Sequence, residues 1–523
     1  MTGLSEGRRR GRIGLALSAA AVLVAACGGG GGGGGGDAPA APAGDPVVAQ
    51  KCSPNNPFRG DAEGPTTAGS LADEKRWLRS YFDQAYLWYA EVPAVDASAA
   101  AYSVDTGAGY YRSIDNYFEA LKTPALVAGT TRRKDPFSFT YPTALWNQLA
   151  QNGVSAGYGI EWSHVTANPT WSGLAIAYVE PGSPAASLGL RRGDRLVSVD
   201  GVPAEGAPYE TLLRPLFPSV LGEAHSFVFR RSASTLPPAS LTSAAITKTP
   251  VPLSRTFNVG GRTVGYLVFN DHIATAEAPL AAAIDGFRAA GATELVLDLR
   301  YNGGGYLYLA SQLAYMIAGA TPTAGKLFER LQYNDKRSAE SNAPGSSLGF
   351  FNVSCNLNAN LACTTQNPLP SLGFSRVTVL ASGSTCSASE SIVNGLRGID
   401  IDVRLVGSAT CGKPYGFTAR DNCGVSYFPI EFQGVNQKGQ GDYAGGFAPS
   451  CTVADDLDHP LGDPAEGQLA TALALIDTGA CPVGSGKPAN PIAKAGRPEP
   501  LLARHVTRES RIDLPSVRPG PAR

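Results

Sequence analysis

Apolar positions recur at helical spacing early in the chain, where Leu71, Leu78, Phe82 and Tyr86 fall near one face. That pattern predicts a helical, aromatic N-terminal domain over residues 51–150. The period then changes. Residues 174–179 alternate like a strand, and a second alternating stretch runs over 195–199. From about residue 253 strand and helix patterns alternate. Strands are predicted over 263–269, 294–299, 377–381 and 403–406, with helices over 276–290, 307–318 and 389–397. Such alternation predicts an α/β core with substantial parallel pairing over 250–482. The fold class read from the pattern is therefore α/β and multidomain.

The two ends follow neither period. Arg8, Arg9, Arg10 and Arg12 precede an apolar run over 13–26 that is too short to span a bilayer and matches a signal-peptide core. The run closes on Val24-Ala25-Ala26-Cys27, which resembles a bacterial lipoprotein cleavage box. The resemblance implies removal of residues 1–26, lipid on the Cys27 sulfur, and attachment to a membrane facing the periplasm or the exterior. Residues 27–50 begin with nine glycines, which bury nothing and read as a flexible tether. Residues 483–523, rich in Pro, Arg and Ala, read as a disordered tail.

Composition changes the picture in two places. The net charge of −1 gives no electrostatic footprint for nucleic acid. Nine cysteines less Cys27 leave an even eight, which in an exported chain suggests disulfides. Cys355–Cys363 and Cys423–Cys451 are the expected loop closures. No Cys-x-x-Cys or paired-His spacing is present, so no zinc site is expected.

Three segments could carry chemistry. Asp298-Leu299-Arg300-Tyr301-Asn302-Gly303-Gly304-Gly305 is a glycine turn after a strand, able to present N–H groups to negative charge. A phosphate loop would look similar, but no Gly-Lys-Ser/Thr follows. Ser384-Thr385-Cys386-Ser387-Ala388-Ser389-Glu390 lies between a strand and a helix. It reads either as a cap, with Ser387 or Ser389 at the helix start and Glu390 assisting, or as a nucleophile at a positive helix end. Thr410-Cys411-Gly412-Lys413-Pro414-Tyr415-Gly416-Phe417 holds a single lysine in a Gly/Pro/aromatic loop; stripped of water, such an amine can act as a general base.

Two resemblances tie these together. Gly157-Tyr158-Gly159-Ile160, then "GSPAASLGL" and "GDRLVSVDG", resemble a PDZ domain over 151–235. This implies a groove in which Gly157, Tyr158, Gly159 and Ile160 take a peptide as an added strand and hold its terminal carboxylate, unless the domain serves only as a structural gate. "LDLRYNGGG", "GSTCSASESIVNGL" and "LVGSATCGKPYGF", in that order behind a PDZ domain, resemble the C-terminal processing (tail-specific) peptidases. The resemblance implies a ClpP/crotonase-like protease core, protein or peptide substrates, no cofactor, and an acyl-enzyme mechanism. Ser387 becomes the nucleophile, Lys413 its base, Glu390 a supporting group, and the N–H groups of Gly304 and Ala388 the oxyanion donors. Phe417 stands where that family often has a glutamine that holds the lysine, so another orienting group is required. Cys386 and Cys411 flank the pair, and are expected to reach disulfide distance if Ser387 and Lys413 meet. Two rivals remain: a Ser-His-Asp hydrolase using His272 or His459, and a non-enzymatic lipoprotein adaptor that binds peptide tails.

Overall fold

The computed structural model describes residues 47–163, 170–218, 220–357, 363–364, 366–483 and 511–512. The signal peptide, Cys27, most of the tether and most of the C-terminal tail lie outside the described residues. A six-stranded sheet forms the centre, in the order Leu253–Val259, Arg262–Val268, Glu294–Asp298, Arg376–Ala381, Asp402–Gly407, Cys451–Thr452. The first two strands form an antiparallel hairpin and every later neighbour is parallel.

Side chains alternate between two faces, as a period of two requires. Leu267, Leu297, Val379 and Leu405 belong to one buried cluster. Tyr266, Val296, Leu380 and Val406 belong to another, under the helix Gly467–Thr478. Helices Glu277–Ala289, Leu307–Ala318 and Ala388–Gly398 contribute to the first cluster. Register aligns the strand ends: Asp298 lies opposite Leu380, and Ala381 opposite Gly407. All three chemistry-bearing segments therefore leave the carboxyl ends of three adjacent parallel strands, where α/β sheets gather functional loops.

The N-terminal helices Leu71–Ala85 and Gly107–Leu121 do not form a separate core. Leu71, Leu78, Phe82 and Tyr86 are buried as expected, in the same cluster as the helices of the central sheet. Ser70 caps the first helix by accepting the Asp73 N–H at 3.2 Å. A three-stranded sheet joins Phe139–Pro142 to Val425–Phe428 and Arg420–Asn422, with the Phe139 and Phe428 rings stacked 4.3 Å apart. Cys52–Cys423 staples the same junction.

That staple corrects one expectation. Cys423 does not pair with Cys451; it lies in the turn between Arg420–Asn422 and Val425–Phe428, beside the N-terminal segment. Cys451 sits on the last strand of the central sheet and bonds Cys481. Cys355–Cys363 and Cys386–Cys411 form as expected.

Between these parts, a seven-stranded antiparallel sheet runs in the order Ser234–Thr235, Ala224–Arg231, Arg195–Val199, Ala175–Val179, Ile160–Ser163, with two further strands off that path. It encloses its own core of Tyr158, Trp171, Ile176, Phe227 and Phe229. Arg192 connects this domain to the centre: its guanidinium donates to Ala177 O at 2.8 Å, to Asp455 at 2.7 Å, and to the Tyr301 hydroxyl. Asp455 in turn accepts from Arg300 at 3.0 Å.

Candidate active site

The glycine turn is fixed from below. Arg300, fully buried, donates to both oxygens of Glu466 at 2.8 and 2.9 Å and to Asp298 at 3.0 Å. Paired this way a buried guanidinium is held in one orientation. Asn302 then binds the turn to its neighbours. Its Oδ1 accepts the Gly304 N–H at 2.9 Å and meets His272 Nδ1 at 2.9 Å, while its backbone oxygen accepts from Cys386 N at 3.1 Å and Ser389 Oγ at 3.0 Å.

Ser387 occupies the start of helix Ala388–Gly398 with φ 60° and ψ −115°, a conformation strained for any residue with a Cβ. Its Oγ is buried and makes no hydrogen bond. The cap reading is thus half right: Glu390 completes a box by accepting the Ser387 N–H at 2.9 Å, yet the serine backbone is bent in a way no cap requires. Ala388, the first helical residue, has an N–H without an intrahelical acceptor.

Glu390 is the hub. Oε2 accepts from Ser387 N at 2.9 Å and Lys413 N at 2.8 Å, while Oε1 accepts from Gly412 N at 2.8 Å and Thr410 Oγ1 at 2.6 Å. Burial pushes this carboxyl above its usual range, and the four donors pull against that rise. One oxygen therefore gathers the backbones of Ser387 and Lys413, and the Cys386–Cys411 bond, with Cα atoms 5.2 Å apart, ties the same two segments covalently. Both Ser387 and Lys413 are fully buried. The Lys413 Nζ lies 5.0 Å from the centre of the Phe137 ring and 4.7 Å from that of Phe417.

One expectation changes here. Gly304 is a poor oxyanion donor in this structure, because Asn302 already takes its N–H. The ladder with His272 uses Gly304 O and Tyr306 N, so the N–H of Gly305 points to the opposite edge. There the backbone of Arg511–Ile512 runs parallel to Gly305–Tyr306. Nothing in the sequence ranked the three glycines. Glycine is required at 305, with φ 138°, since a Cβ there would lie 2.3 Å from His272 O.

His272 Nε2 and the Ser387 Oγ each lack a hydrogen-bond partner, so the serine hydroxyl is bonded neither to His272 nor to Lys413 in this structure. Burial pushes the His272 imidazole down to about 3, leaving it neutral. His459 pairs with Asp456 at 2.7 Å near the surface.

In the antiparallel domain, Gly157, Tyr158, Gly159 and Ile160 come together beside a cavity of about 270 Å³, also lined by Leu216, Phe217 and Ile246. Gly159 has φ 76°, and a Cβ there would lie 2.2 Å from that of Ser183. Strand Ile160–Ser163 pairs only with Ala175–Val179 among the described residues, leaving its outer edge without a ladder.

Comparison with known proteins agrees with this layout. Residues 263–421 match the model of peptidase family S41, residues 176–211 a PDZ domain, and residues 73–139 the peptidase S41 N-terminal domain. A carboxyl-terminal-processing protease of Picosynechococcus sp. is 25% identical over 32% of this chain and 39% of its own length. One from Synechocystis sp. is 25% identical over 64% of this chain and 71% of its own. The crystal structure of a Bacteroides fragilis protein described as an S41 protease superposes with a TM-score of 0.57 at 25% identity, covering 76% of this chain and 96% of that one. The chain thus carries a peptidase S41 domain, of a family of serine-type peptidases, with a PDZ domain between it and a peptidase S41 N-terminal domain.

Proposed function

We propose that this protein is a serine endopeptidase working through a Ser387–Lys413 dyad, with the PDZ domain engaging the carboxyl ends of polypeptide substrates. The observation that carries the reading is the shared Glu390 oxygen, which gathers nucleophile and base from two chain segments into one buried place. A buried amine is more easily held neutral than one in water. Neutral Lys413 takes the Ser387 proton as Oγ attacks the scissile carbonyl carbon. The N–H groups of Ala388 and Gly305 then face the oxyanion. As the carbon–nitrogen bond breaks, the ammonium returns its proton to the leaving amine. Lys413 next activates the water that hydrolyses the ester. The pairing of Arg511–Ile512 with Gly305–Tyr306 supports an extended segment lying along this edge.

The test compares Ser387→Ala, Lys413→Ala and His272→Ala on an unstructured polypeptide with a free or an amidated carboxyl end. The first two changes should each reduce cleavage by about a thousandfold or more, and amidation should weaken binding. Retained cleavage in Lys413→Ala overturns the dyad, and an inert wild type would leave the peptide-binding adaptor. Attachment through Cys27 after removal of residues 1–26 is the accompanying reading for location, supported by the sequence there. Mass spectrometry of the mature N-terminus tests it: an unlipidated Cys27 overturns it.

A further inference from the structure

The Lys413 Nζ is flanked by two aromatic rings from distant parts of the chain, both within cation–π range. Phe137 comes from the N-terminal domain. The Asp135 carboxylate fixes its backbone by accepting the Phe137 N–H at 3.0 Å and the Ser138 N–H at 2.9 Å, while also accepting the Tyr86 hydroxyl at 2.7 Å. Phe417 is locked against Phe139 at 5.5 Å and Phe428 at 5.3 Å. Both rings are buried, so neither moves aside without disturbing packing.

We propose that Phe137 and Phe417 are positioning residues that hold Lys413 between two π faces and stabilise the ammonium it becomes on taking the Ser387 proton. The inference rests on the dyad reading and adds to it. A neutral amine gains little from a ring face, whereas a full positive charge gains substantially, more so out of water. The clamp thus acts chiefly on the charge that develops during attack, which is where binding energy accelerates chemistry. It also makes the N-terminal domain part of the active site rather than a neighbour of it.

The test uses Phe137→Leu and Phe417→Leu in the full chain, with thermal unfolding to confirm that each folds. Leucine keeps the site dry but removes the π face. Each variant should lower kcat about threefold with KM little changed. Because the rings favour the charged amine, their loss should move the acid limb of the kcat/KM profile to lower pH, by about half a unit. The rate of Ser387 labelling by a fluorophosphonate should fall in parallel, and Phe137→Tyr, which keeps a ring, should hold the limb at its wild-type position. A fall in kcat with an unmoved limb in both leucine variants means packing alone and overturns the proposal. So does unchanged labelling. Failure of the dyad reading is seen separately, as activity surviving in Lys413→Ala, and would take this proposal with it.

Discussion

Ser387 holds a backbone conformation that only glycine adopts freely, at a cost of about 1–3 kcal/mol. The surrounding contacts overdetermine it: Cys386 N and Ser389 Oγ are both bound to Asn302 O, and Ser387 N is bound to Glu390. Ser387→Gly should therefore unfold at a higher denaturant concentration than Ser387→Ala, by about 1 kcal/mol, although both are inactive. Equal stability would mean that the site stores no such strain. At this scale the sequence was legible where a short motif singles out a residue. Ser387, Lys413 and Glu390 were each named from their neighbours, and the Glu390 carboxylate accepts the backbone N–H groups of the other two. What was not legible depended on direction. The choice between Gly304 and Gly305 turns on which N–H the Asn302 side chain captures, and no local pattern encodes that. Phe137 carried no signal at all, because its contact with Lys413 joins positions far apart in sequence.

The elements that meet at the site are loops leaving neighbouring parallel strands, and two devices draw them together. Glu390 links them by hydrogen bonds and Cys386–Cys411 by a covalent bond. Changing Cys386 and Cys411 together to Ser should lower kcat by about tenfold or more, since small misplacement of a base is costly. Reduction of the wild type by a dithiol, converting the disulfide to two thiols, should do the same. Removing Cys355–Cys363, which closes a short loop elsewhere, should leave kcat near wild type; an equal fall in both cases would mean general destabilisation. Strand and helix positions in the core were readable from periodicity, because a buried parallel sheet demands apolar runs. Cysteine partners were readable only where the loop was short or the catalytic motifs already implied contact. Cys423 was expected to pair with Cys451, yet a hairpin turn carries it to Cys52.

Across the whole molecule, the N-terminal helices and the S41 domain share one hydrophobic cluster, while the PDZ domain keeps its own and communicates through Arg192, Asp455 and Arg300. The strand Arg511–Ile512 lies along the edge offered by Gly305–Tyr306, the edge proposed for substrate. Ending the chain at Val483 should lower KM for an unstructured polypeptide several-fold without changing kcat, because an intramolecular competitor has been removed. An unchanged KM would mean that this strand lies off the substrate path. The Cys52–Cys423 bond has a further consequence. It spans 371 positions and anchors the domain that supplies Phe137, so it cannot close until everything between has reached oxidising surroundings. On the proposed export, a chain still in transit would lack the staple that anchors the domain carrying Phe137, and the scissors would be completed only on delivery.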